Sequence, residues 1–132
     1  SDKRYKRPLT AFQDHPMTTP TCAKVIYWRA RPGQFDAYTD YLRNEVEPID
    51  HAAQREGVLA RFATLIDRRA DAPWTHMRIF EFADTAQRDR LQEGLGAIMS
   101  AMLPDGQARA QRAQRASALR DKVGEVDMDL LG

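Results

Sequence analysis

A chain of 132 residues is the size of one ordinary domain, which argues against a second independent core. Its composition, 42% hydrophobic and 30% charged, is globular rather than disordered, and its apolar runs are too short to span a bilayer. A formal net charge of +1 gives no overall electrostatic reason to expect nucleic acid, the lone Cys22 rules out an internal disulfide, and no Cys-x-x-Cys or Cys/His cluster suggests a structural metal.

The opening "SDKRYKRPLTAFQDHPMTTPT" is rich in basic residues and proline and has no periodicity, so residues 1–23 read as an extended arm and residues 24–132 as the domain. Lys3, Arg4, Lys6 and Arg7 suit a solvated or partner-hugging tail, with a grip on a polyanion as the alternative. Met17, followed by small polar residues, resembles a natural chain start, which makes residues 1–16 readable as an added extension. A single cysteine and no signal-type stretch fit a cytoplasmic location.

"KVIYWRA", residues 24–30, is β-branched and aromatic and stops at "RPG", the mark of a first strand. From Gln34, apolar side chains recur at Phe35, Tyr38, Leu42, Val46, Ile49 and Ala53, spacings of three and four that define one face of a long helix. Pro48 lacks an amide and should kink or restart that helix near "EPID", and Gly57 should end it. "VLARFATLI", residues 58–66, and "WTHMRIFEF", residues 74–82, are two further strands joined by a polar turn. Asp84 with Gln87 forms a capping-box variant ahead of a helix carrying Leu91, Leu95, Ile98 and Met102. Pro104 ends that helix, Asp105 caps another extending to Gly124, and "EVDMDLL", residues 125–131, alternates as the last strand.

The fold class is therefore α+β: a ferredoxin-like βαββαβ sheet in the order 4-1-3-2, with an extra helix before the last strand. Two helices cover one face. The other face, expected to carry residues such as Trp28 or Phe62, calls for a second copy, hence a homodimer.

The stretch "VIYWRARPGQFDAYTDYLRNEVEPIDHAAQREGVLARFATL" resembles the opening half of the dimeric α+β-barrel superfamily, and the resemblance extends over residues 24–131. It implies two sheets closing a barrel across a dimer, with a cleft between sheet and helices in each subunit. The superfamily includes cofactor-independent monooxygenases of the antibiotic-biosynthesis type, haem-degrading monooxygenases, lactone isomerases and NIPSNAP-like members. A haem-degrading relative would carry a histidine on the second main helix, and "DTAQRDRLQEGLGAIMSAML" has none. No family active-site residue transfers, so the resemblance implies a small organic ligand and no cofactor.

Strand alternation puts His76 and Arg78 on one face of the third strand and Tyr27, Arg29 and Arg31 on one face of the first. With Asp127 or Asp129 these form a candidate polar wall, in which His76 is the general base and Arg78 or Arg29 steadies a developing oxyanion. The alternative is a ladder of ion pairs. Trp28, Trp74, Tyr38 and Tyr41 are candidates to stack on an aromatic ligand, or else fill core and interface. His51, just after the Pro48 kink, is placed at the cleft mouth, while Asp50 points about 100° away from it. Gly94 and Gly96 each cost a helix about 1 kcal/mol, which implies a close approach by the sheet or a ligand. Arg109, Arg112, Arg115, Arg120 and Lys122 make a basic, solvated face without the aromatic platforms that nucleic-acid binding would want. No metal-ligand spacing is present. The leading function is a homodimer that binds a small, largely apolar or aromatic molecule, with cofactor-independent oxygenation or isomerisation as its chemistry. The rival is a non-catalytic dimerisation or ligand-carrier module whose polar strand residues pair with one another.

Overall fold

The computed structural model describes residues 19–132, so the expectations at Lys3, Arg4, Lys6, Arg7, His15 and Met17 lie outside the described residues. Strand β1 (Cys22–Ala30) begins two residues before the expected start. Helix α1 (Phe35–Tyr41) widens into a π-helical turn (Leu42–Val46) and continues as α2 (Glu47–Arg55). Pro48 explains this geometry. It falls in the first turn of α2, where a missing amide costs nothing, and the strain of admitting it is taken up by the wide turn just before. Gly57, at φ 77°, reverses the chain, and Val58 N–H closes the cap on Ala53 O at 2.9 Å.

Strands β2 (Arg61–Ile66) and β3 (His76–Phe82) follow, then the short α3 (Thr85–Asp89). Asp84 accepts from Gln87 N–H at 2.8 Å, and Gln87 Oε1 accepts from Ala83 N–H at 2.7 Å, the reciprocal pair of a capping box displaced by one residue. Helices α4 (Leu91–Met102) and α5 (Gly106–Leu119) lead into β4 (Arg120–Asp129). The helix expected to reach Gly124 thus stops at Leu119, and "RDKVG" is strand. Its pairing with β1 begins at Arg120 opposite Ala30, and ladder bonds outweigh the helical preference of those few residues. Val123 is the extra residue of a bulge, because Tyr27 faces Gly124 while Trp28 faces Lys122.

The sheet is antiparallel throughout in the order β2-β3-β1-β4, the ferredoxin-like arrangement. Directly paired residues share a face. Trp28 pairs with His76, Ile26 with Arg78 and Cys22 with Phe82, and all of these look toward the helices. There they meet a core that includes Ile49, Ala53, Leu59, Leu91 and Ile98, with a second cluster of Tyr38, Tyr41, Leu42 and Ala116 at the other end. Tyr27 pairs with Met77 and Val25 with Ile79 on the uncovered face.

This register corrects two expectations. Trp28 and Phe62, which pairs with Phe80, lie under the helices rather than on the bare face. Tyr27 and Arg29 lie on the opposite side from His76 and Arg78, so no single wall joins the four. Gly94 is closely approached, though by Val58 of the loop ahead of β2 rather than by the sheet or a ligand, its Cγ1 lying 2.7 Å from where an added Cβ would sit, whereas Gly96 faces open space. Among the described residues no helix is long and apolar enough to cross a membrane.

Candidate functional site

His76 opens β3 with no exposed surface, its ring 4.8 Å from that of Phe35 and 4.6 Å from that of Tyr38. Nε2 lies 2.8 Å from Thr39 Oγ1, and Nδ1 lies 2.7 Å from Thr75 Oγ1. The hydroxyls fix the tautomer. Thr39 gives its proton to Phe35 O at 2.9 Å and can only accept from the ring, so Nε2 carries the hydrogen. Thr75 Oγ1 accepts Ala30 N–H at 2.8 Å and turns its own proton to Nδ1, because its other acceptor, Trp28 O, is 3.5 Å away. The imidazole is neutral and both nitrogens are occupied.

Burial first, then the charge of Arg68, push the His76 pKa down from 6.5 to about 4. The unfolded chain takes this proton near 6.5 and the folded chain only near 4, so between those values the unfolded state binds more protons. Stability from this group is therefore complete above the unfolded value and lost as pH falls through the folded one, by about 3 kcal/mol in all. Urea unfolding of the native chain and of His76→Asn across that range is expected to show a shallower pH slope in the variant.

Two positions along β3, Arg78 Nη1 and Nη2 reach Asp50 Oδ2 at 2.9 and 2.6 Å. The side chains are 5% and 3% exposed. Asp50 sits on the inner face of α2 with Ile49, Ala52 and Ala53, and the Phe80 ring lies 4.8 Å from the Arg78 guanidinium carbon. Burial raises the Asp50 pKa, and Arg78 opposes it. Thr64 Oγ1, across from Arg78 on β2, is buried without a hydrogen-bond partner. Both terminal nitrogens of Arg78 are thus turned to Asp50, which leaves Nε–H as the donor outside the pair.

The remaining candidates are scattered. Arg29 is exposed and donates to Pro73 O. The Tyr27 and Trp74 rings lie 5.7 Å apart. Tyr38 is fully buried, its hydroxyl accepts from Arg120 Nη1 at 3.2 Å, and burial raises its pKa against the pull of Arg120. The Arg120 guanidinium lies 3.8 Å over the Trp28 ring. His51 is exposed and edge-on to Phe62 at 5.0 Å. Asp127 pairs with Lys24 at 2.9 Å rather than with any candidate.

His76, Tyr38 and Trp28 therefore gather at one end of the covered face, Arg78 lies just inward, and Tyr27, Arg29 and His51 stand elsewhere. The sheet-helix layer at His76 is filled by side chains. Three grooves lie between helices instead, of 330 Å³ among α2, α4 and α5, 490 Å³ between α2 and α4, and 520 Å³ between α1 and α5. None of the three is lined by His76, Arg78 or Arg29.

Sequence reasoning missed Asp50, Thr39, Thr75 and Arg120. Asp50 was findable, since it is four residues past Val46 and three before Ala53, on the apolar stripe. Thr39 lies one residue past Tyr38 and offered no such signal.

No protein-family model matches the chain, and no curated protein does either. Solved structures do match it. A dimeric ferredoxin-like protein from an uncultured marine organism has a TM-score of 0.64 at 9% identity, over 88% of this chain and 92% of that one. A protein of unknown function from Nitrosomonas europaea has a TM-score of 0.57 at 22% identity, over 87% and 93%. HapK from Hahella chejuensis has 0.55 at 18%, over 84% and 93%. At these identities the likeness is one of fold.

Proposed function

Because the chain has the ferredoxin-like fold of a dimeric α+β-barrel subunit, we propose that it works as a homodimer joined through the uncovered faces of its sheets. Its role is to bind a small, largely apolar organic molecule, without chemistry at His76. The observation that carries this reading is that the polar strand residues are engaged within the chain: both nitrogens of His76 by threonines, Arg78 by Asp50, and Arg29 by Pro73 O. A base needs a lone pair facing its substrate, and this one has none to spare. The homodimer is supported by Leu65, Val126 and Met128 on the face away from the helices, which are 45%, 41% and 41% exposed within one subunit.

A second reading keeps His76, with Arg78 two positions along the same strand face, as catalytic in a cofactor-independent oxygenation or isomerisation, and leaves out Arg29, which lies on the other face. One observation favours it: the imidazole is kept neutral between two aromatic rings, a fitting place for a base if a hydroxyl were displaced. Incubation with electron-rich phenols under oxygen separates the two. We expect any turnover to change less than about tenfold in folded His76→Asn, whereas a loss of about a hundredfold assigns the base to His76.

A further inference from the structure

The 330 Å³ groove among α2, α4 and α5 has an apolar wall and a charged rim that belong to no site described above. Pro48, Ile49, Met99, Met102 and Leu103 form the wall, and Arg112 and Arg115 of α5 stand at the rim. Met102 is 48% exposed, a large apolar side chain left uncovered by its own subunit.

Arg112 is the unusual group. Its side chain is only 13% exposed, lies 5.4 Å over the Tyr41 ring and shares its carboxylate with a second arginine. Nη1 points at Met99 Sδ at 3.4 Å, a weak acceptor, and Nη2 at Glu45 O at 2.8 Å. The nearest carboxylate, Glu45 Oε1, is 3.9 Å from Nε and is already bonded to Arg115 Nη2. Two guanidiniums thus share one carboxylate at the edge of a hydrophobic groove. Two cations against one carboxylate leave the rim with an excess of positive charge, and a ligand anion would complete it with a short charge-assisted bond. The π-helical turn places Glu45 here. Its widened backbone presents the carbonyl that fixes Arg112, and the adjoining Pro48 supplies part of the wall.

We infer that this groove binds a small amphipathic carboxylate, its chain or ring lying along Ile49, Met99 and Met102 and its head group accepting from Arg112 and Arg115. The inference rests on the binding role proposed above and adds the site and the ligand class.

The test uses octanoate as the probe, with octanol and octyltrimethylammonium as neutral and cationic counterparts, read by NMR of 13C-labelled methionine methyls on the full chain. Octanoate is expected to shift Met99 and Met102 saturably while Met77 and Met128, on the sheet's other face, stay in place. Arg112→Gln and, independently, the exposed Arg115→Gln should each weaken binding about tenfold. Equal shifts from octanol or the cation overturn the inference, as does the absence of any shift at millimolar octanoate. Shifts confined to Met77 and Met128 also overturn it, while leaving a binding role intact at another site.

Discussion

Asp50→Ala is expected to destabilise the folded chain by about 3–5 kcal/mol, because it strands the Arg78 guanidinium in a layer from which water is excluded. The loss should not be read as the worth of the ion pair. Bringing both charges out of water offsets most of what their attraction returns, so the double variant Asp50→Leu/Arg78→Met should recover most of the stability. Urea unfolding of Asp50→Leu, Arg78→Met and the double variant closes the cycle. If Asp50→Ala costs less than about 1 kcal/mol, the pair is in contact with water and the sealed layer is wrong.

Val126→Asp is expected to separate the subunits of the proposed homodimer at micromolar concentration while leaving each one folded. Val126 is partly exposed within its own subunit and pairs with Val25 at the middle of the uncovered face, so a carboxylate there meets little within the chain. Across two apposed sheets it would be buried without a partner, at a cost of several kcal/mol for each copy. Size-exclusion chromatography with light scattering reads the change, with Gln114→Asp on the exposed side of α5 as the control expected to remain associated.

Much of the architecture was legible because it rests on local periodicity. Phe35, Tyr38, Leu42 and Ile49 announce the inner face of α1 and α2, and Asp84, Asp105 and Gly57 mark ends that the structure respects. What escaped was whatever depends on the partner strand. A shift of one residue in register moves every side chain to the other face. Tyr27 and Arg29 were accordingly grouped with His76 and Arg78, while the pairing of Trp28 with His76 puts them on opposite sides.

The end of α5 escaped for a related reason. "RDKVG" carries no stop signal of its own and becomes strand only because β1 offers it a ladder. Arg120, read as one more charge on a solvated face, is instead the cation over Trp28 and the donor to Tyr38. At the candidate site the residue types were legible and their saturation was not. His76 and Arg78 drew attention as polar groups on an apolar strand, but the partners that occupy them come from α1, α2 and the residue just before β3. Only folding brings those together.

Sedimentation equilibrium of the native chain at micromolar concentration bears most directly on the proposed assembly. A species of twice the chain's mass is expected, held through the face that carries Leu65, Val126 and Met128. A compact single chain at that concentration would leave this apolar face without a purpose and contradict the homodimer.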